Sequence, residues 1–184
     1  MLHLHRDKLL GKGRQKSVYY HPEDESLCVK IPREGYAHSL KREIRYIQKH
    51  QQKIPFIGAY RGEAETNLGQ GYLFDVIRDF DGQISRDLEA FMQSEYDRDA
   101  LADKASLLYE LLIENRAPLS ELQACNILVR KEEGKNYDLV IIDGFGNSDF
   151  IKICDFSRFF LKKKLIRKFT KFCRKTEISP SFLK

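Results

Sequence analysis

The sequence predicts an α+β chain in two parts, an antiparallel β-rich first part with one helix and a mostly helical second part. Three observations carry this. "SVYYHPEDESLCVKIP", from Ser17, is dense in β-formers broken by one polar turn. From Ser85 onward apolar residues instead recur every three or four positions, through Leu88, Phe91, Met92, Leu101, Ala105, Leu108, Leu111 and Leu112. Between these regimes lies "RDFDGQIS", polar and glycine-containing, which suits a hinge. The division is therefore placed at residues 1–82 and 83–184, with the two parts meeting near residues 79–84.

Each element follows in order. Residues 4–31 predict two or three antiparallel strands, the last being "LCVKI". "AHSLKREIRYIQKHQQK" places Leu40, Ile44 and Ile47 at helical spacing, and Pro55 and Gly58 end its polar tail. Two more strands are expected in "FIGAYRGEAETNLGQGYLFDVIRDFDG", separated by the loop "GEAETNLGQG". Two helices then run to Pro118, which closes the second. A hairpin follows in "ACNILVRKEEGKNYDLVIIDGFGN", and a basic amphipathic helix ends the chain.

Composition excludes several classes. With 42% hydrophobic and 32% charged residues, the 184-residue chain is that of a folded protein with a sizeable core. No apolar run approaches the roughly 20 residues that span a bilayer, and the N-terminus has no signal-peptide pattern, so a cytoplasmic location is expected. Cys28, Cys125, Cys154 and Cys173 are scattered and form no C-x-x-C pair, which excludes a disulfide framework or a zinc site. The net charge of +5 is concentrated between Phe156 and Thr176, where there is no acid. That helix, basic over 158–175, either packs its phenylalanines on the core and solvates its lysines, or meets an anionic partner such as phosphate, nucleic acid or a membrane surface.

Several residues stand out chemically. Gly11 and Gly13 fall between two strands, where backbone N–H groups can approach phosphate oxygens, although hairpin turns use the same residues. Lys30 is flanked by apolar residues on a strand, and a lysine buried there needs an anion. Glu43, on the following helix, is a candidate partner. Asn126 stands at the mouth of one hairpin strand and Asp143 at the end of the other. Those two polar ends belong either to an ordinary hairpin or to the metal-holding floor of a phosphate-transfer site.

Taken in order, these landmarks resemble the protein-kinase-like fold in a minimal, two-lobed form. "GKGRQKSVYY" is similar to the glycine-rich loop, with Lys16 where the third glycine would stand. "CVK" is similar to the strand motif ending in the phosphate-pairing lysine, and "REI" to the helix glutamate that pairs with it. "NIL" resembles the end of the catalytic loop, and "IIDGFG" the Asp-Phe-Gly motif with one extra glycine. More narrowly, "LKREIRYIQ", "GYLFDVIRDFDGQIS", "ACNILV" and "VIIDGFG" resemble the YrbL family of bacterial proteins linked to the PhoP regulatory network.

The resemblance implies an N-lobe over 1–82 that binds nucleotide phosphates and a truncated helical C-lobe over 83–184 that carries the metal hairpin. Lys30, held by Glu43, would pair with the α- and β-phosphates of ATP. Asp143 would bind Mg²⁺ and Asn126 would complete the metal shell. Asp75, Val76 and Ile77, at the end of "LFDVI", would offer backbone groups to adenine.

One departure concerns catalysis directly. The catalytic-loop aspartate, five residues before the asparagine, is replaced by Glu121, and Gln123 stands two residues on where a lysine or asparagine belongs. Glu121 is a base, a group orienting metal or substrate, or a solvated carboxylate. No Ala-Pro-Glu segment follows Asp143, so a small molecule, a lipid or a short protein segment is expected as acceptor. The leading expectation is an ATP/Mg²⁺-dependent phosphotransferase. Its alternatives are a pseudokinase acting as a regulatory module and, third, a binder of nucleic acid or membrane surface.

Overall fold

The structure is a computed structural model that describes residues 1–94, 96–134 and 136–183. The chain forms two compact units, one of residues 1–51 with 58–76 and the other of residues 52–57 with 77–184.

The first unit is a five-stranded antiparallel sheet with one helix. β1 (Leu9–Lys12), β2 (Lys16–Tyr20) and β3 (Leu27–Pro32) precede α1 (Ala37–His50), and β4 (Tyr60–Thr66) and β5 (Gly69–Asp75) follow it, in spatial order β1-β2-β3-β5-β4. The register pairs Val18 with Lys30 and Lys30 with Tyr72. Alternation along a strand therefore puts Lys16, Val18, Lys30 and Tyr72 on one face. On the other, Val29 and Ile31 pack with Leu4, and Leu2, Tyr19 and Leu73 border them. α1 buries Leu40, Ile44 and Ile47, the expected helical stripe, together with Glu43.

The stretch expected as the loop "GEAETNLGQG" is instead mostly strand. β4 runs through Thr66, pairs with Gly69, and leaves only Asn67 and Leu68 as the turn. Glu63 and Glu65 belong to the edge strand beside β5, where alternation exposes both carboxylates while Gly62, Ala64 and Thr66 between and beyond them turn inward. The Thr66 hydroxyl accepts from the Leu68 amide and donates to the Gly69 carbonyl, closing that turn.

The second unit contains a small sheet, β6 (Arg86–Asp87), β7 (Ile127–Lys131) and β8 (Tyr137–Ile141), and the helices α2 (Leu88–Phe91), α3 (Arg98–Glu114), α4 (Ile153–Phe156) and α5 (Arg158–Thr176). Asp87 and Asp97 cap α2 and α3 by accepting from backbone amides of their first turns. The core is built on Leu101, Ala105, Leu108 and Leu112 of α3 and Leu161, Leu165, Phe169 and Phe172 of α5. Tyr109 meets Phe169 edge-on at 5.3 Å and stacks on Phe182 at 3.9 Å.

The break in the chain follows Val76, earlier than residue 82, because residues 77–85 fold back on themselves. Ser85 N–H donates to the Ile77 carbonyl and Asp79 N–H to Gln83, while Lys131 N–H donates to the Asp79 carboxylate. These bonds tie the polar stretch to β7. Residues 52–57 join the same unit through Ile141 N–H donating to Phe56. The basic helix expected over 158–175 is α5, and the extended backbone of Ser157 separates it from the short α4. Among the described residues no helix is long and apolar enough to cross a membrane. Three strands, a helix, two strands and then a mostly helical unit is the order that the kinase-like resemblance implies.

Candidate functional site

In the first unit, Lys16 Nζ donates to Glu43 Oε2 at 3.2 Å, and both side chains are almost wholly buried. The lysine at the position of the third glycine thus reaches the α1 glutamate, a partnership sequence reading missed. Lys30 is also buried, with its ammonium 3.9 Å from the centroid of the Phe74 ring. Lys16, Lys30 and Glu43 therefore share one side of the sheet, two cations with an internal carboxylate.

Gly11 pairs with Val18, and Gly13 N–H donates to the Lys16 carbonyl to form the turn between β1 and β2. Neither glycine has a positive φ. A Cβ at Gly11 would meet nothing within 4 Å among the described residues, so the fold does not itself demand glycine there.

At the end of β5, the Asp75 amide donates to Ala59 and the Val76 amide to Ser26. The Asp75 carboxylate is gripped by Arg61 in a two-point pair at 2.7 and 2.6 Å. Of the three residues whose backbone groups are expected to face adenine, two have amides already bonded within the first unit. Ile77, in the second unit, accepts from Ser85 through its carbonyl.

The second unit brings Asn126 and Asp143 to the same end of the hairpin. Ile127 pairs with Ile141, and one step further Ile142 N–H donates to the Asn126 carbonyl at 3.0 Å. Asp143 is the next residue, and its Oδ1 accepts from the Gly144 amide at 2.8 Å. An amide oxygen and a carboxylate are hard oxygen donors, the kind Mg²⁺ takes alongside water and phosphate oxygens. Among the described residues there is no cluster of three His, Cys, Asp or Glu side chains that could hold a metal by themselves.

Glu121 lies against this hairpin end. Its amide, the Ser120 amide and the Ser120 hydroxyl all donate to the Gly144 carbonyl, and Gly146 N–H donates to Pro118. Gly144 has φ +81°, and a Cβ on it would come within 2.6 Å of the Glu121 carbonyl oxygen. The extra glycine after Asp143 is therefore required by the close approach of the two loops. The exposed carboxylate of Glu121 accepts from Gln123 Nε2, so the residue replacing the expected lysine binds the candidate base itself.

Residues that sequence reading did not single out support these loops. Asn147 is fully buried, donates to Asp155 Oδ1 at 2.8 Å, and accepts from Lys164 Nζ at 2.7 Å. Lys164 also pairs with Asp149 at 2.8 Å, so this lysine of the basic helix is internal rather than solvated. Burial alone would raise the Asp149 carboxyl, but the Lys164 hydrogen bond and the charges of Lys164, Arg167 and Lys168 outweigh it and hold it below its ordinary value. One turn further along α5, Lys168 donates to the Ser120 carbonyl. Its own pKa is lowered, chiefly by burial and then by Lys164 and Arg167.

Comparisons with known proteins extend over most of the chain. A solved Mycobacterium tuberculosis structure, a double mutant of the PknI kinase domain, is 13% identical with a TM-score of 0.49. That match covers 74% of this chain and 56% of the kinase domain, so this chain spans a little over half its length. The YrbL proteins of Escherichia coli (strain K12) and Shigella flexneri are each 32% identical to it over 182 residues, covering 94% of this chain and 86% of the relative. The family described as PhoP regulatory network protein YrbL matches residues 2–177, and the chain belongs to that family.

Proposed function

We propose that the chain is an ATP- and Mg²⁺-dependent phosphotransferase of kinase type, acting in a bacterial regulatory context on a small molecule, a lipid or a short protein segment. The observation that carries this is the hairpin register, which sets Asn126 and Asp143 at one strand end with Glu121 hydrogen-bonded to the adjoining Gly144. Asn126 and Asp143 would hold Mg²⁺, whose chemistry is to neutralise the phosphate charge that builds up during transfer. Lys30 and Lys16 would balance phosphate oxygens, with Glu43 fixing the position of Lys16. Gly11 and Gly13 would leave room for the phosphates beside β1, and backbone groups at Asp75, Val76 and Ile77 would face the adenine. Glu121 would accept the proton of the attacking hydroxyl.

A second reading, a pseudokinase that binds nucleotide without transfer, is favoured by one observation. The Glu121 carboxylate is longer than the aspartate it replaces and is bonded to Gln123. A displacement of about 1 Å at a reacting group costs roughly 100-fold in rate.

Thermal unfolding with saturating ATP, with and without Mg²⁺, tests the nucleotide reading. The wild type is expected to melt higher with ATP, more so with Mg²⁺, and Asp143→Ala to lose the Mg²⁺-dependent increment. No shift in the wild type would end the ATP proposal. Where the shift is present, transfer of the terminal phosphate label to any acceptor or to water separates the enzyme from the pseudokinase.

A further inference from the structure

A solvated helix face should carry few large apolar groups, yet residues 150–160 expose a run of them. Phe150 is fully exposed, Phe156 is 82% and Ile151 72% exposed, and Phe159, Ile153 and Phe160 follow at 61%, 43% and 42%. Single exposed hydrophobes are ordinary on protein surfaces, whereas a contiguous set marks an interaction surface. These side chains are not turned outward for lack of a core. α5 already buries Leu161, Leu165, Phe169 and Phe172 on its inward face.

The same surface is cationic. Phe160, Lys163, Arg167 and Arg174 follow one another at steps of three, four and seven residues, which places them along the outward side of α5. Lys163 holds its ammonium 4.4 Å from the Phe159 ring centroid, its stem lying along the aromatic and its charge at the rim. Lys152, Arg158 and Lys162 flank the exposed apolar groups. The two nearby carboxylates are engaged internally, Asp149 by Lys164 and Asp155 by Asn147.

We propose that the outward side of residues 150–171 docks the protein on an anionic membrane surface, with Phe150, Ile151, Phe156 and Phe159 entering the headgroup boundary and Lys162, Lys163 and Arg167 facing the lipid phosphates. Charge complementarity selects an anionic partner, because no acid occurs between Phe156 and Thr176. The isoleucines favour lipid over nucleic acid. Stacking on bases uses aromatic faces, and Ile151 and Ile153 have none, whereas an acyl boundary accepts both residue types. The proposal stands apart from the ATP reading, since none of these residues belongs to the candidate site.

The test is co-sedimentation of the full chain with vesicles of phosphatidylcholine alone and of phosphatidylcholine mixed with phosphatidylglycerol. Wild type is expected to pellet with the anionic vesicles and to remain in solution with the neutral ones. Lys162→Gln with Lys163→Gln should weaken that binding about 25-fold, at roughly 5-fold for each charge. Phe150→Ser with Phe156→Ser and Phe159→Ser should weaken it at least about 10-fold, with an unchanged thermal midpoint because these side chains are exposed. Phe150→Ser alone, at a fully exposed position, should give a smaller drop in the same direction. Equal pelleting with both vesicle types, undiminished binding of the serine variants, or capture of a single-stranded oligonucleotide without vesicle binding would each overturn the proposal.

Discussion

Lys16 and Glu43 form a buried ion pair across the first unit, 3.2 Å from Nζ to Oε2. The lysine comes from the strand after the glycine turn and the glutamate from the middle of α1, so one contact fixes the loop strand to the helix.

Removing one partner leaves the other buried beside fewer opposite charges. Glu43→Ala should cost about 3 kcal/mol or more in unfolding free energy. Replacing both by Met (Lys16→Met with Glu43→Met) should recover part of that loss, because the Lys16 charge is then no longer stranded. Urea denaturation of the two variants and the wild type measures the difference.

The two glycine sites should respond in opposite ways. Gly144→Ala puts a side chain in the left-handed region and against the Glu121 backbone, and should cost about 2 kcal/mol or more. Gly11→Ala meets open space and should change stability by less than about 1 kcal/mol. If β1 does pass beside phosphates, the Gly11 variant nevertheless loses ATP affinity. Thermal midpoints with and without nucleotide give both answers.

Glu121→Gln keeps the shape of the side chain and removes its basicity. Phosphate transfer should fall at least about 100-fold, the usual contribution of a positioned base. The Mg²⁺-dependent shift with ATP should stay as in wild type, since the carboxylate is not a metal ligand in the proposed site. Single-turnover label transfer read beside the thermal shift distinguishes loss of chemistry from loss of binding.

The Asp149–Lys164 pair predicts an acid-sensitive contribution to stability. The folded-state pKa of Asp149 is depressed below its ordinary 3.8, so the stabilisation is present above that value and is lost as pH falls through the depressed one. Asp149→Asn should be less stable than wild type at neutral pH, and the gap should close as pH falls through the depressed folded-state value. Thermal unfolding of both proteins across that range checks the sign.

Much of this was legible in the sequence for physical reasons. Ile127–Lys131 and Tyr137–Ile141 are apolar runs bounded by turn residues, so the hairpin and its polar ends could be placed from residue order alone. β4 was hidden because an edge strand need not be apolar on both faces, and its Glu63 and Glu65 read as loop. The role of Lys16 was hidden because a lysine beside glycines reads as surface until the pairing of Val18 with Lys30 fixes its face. Lys164 was equally opaque. Its counter-charge, Asp149, stands 15 residues earlier on a loop, and helical periodicity carries no information about such a partner.

Three donors from two residues converge on the single carbonyl of Gly144, while Gly146 closes a fourth bond to Pro118. The strand end that carries Asp143 and the loop that carries Glu121 therefore move as one latch. Neither can swing without the other, so opening is a concerted local unfolding event in which these bonds break together. A motion that parts the Glu121 loop from the Asp143 strand end has to break these four bonds together.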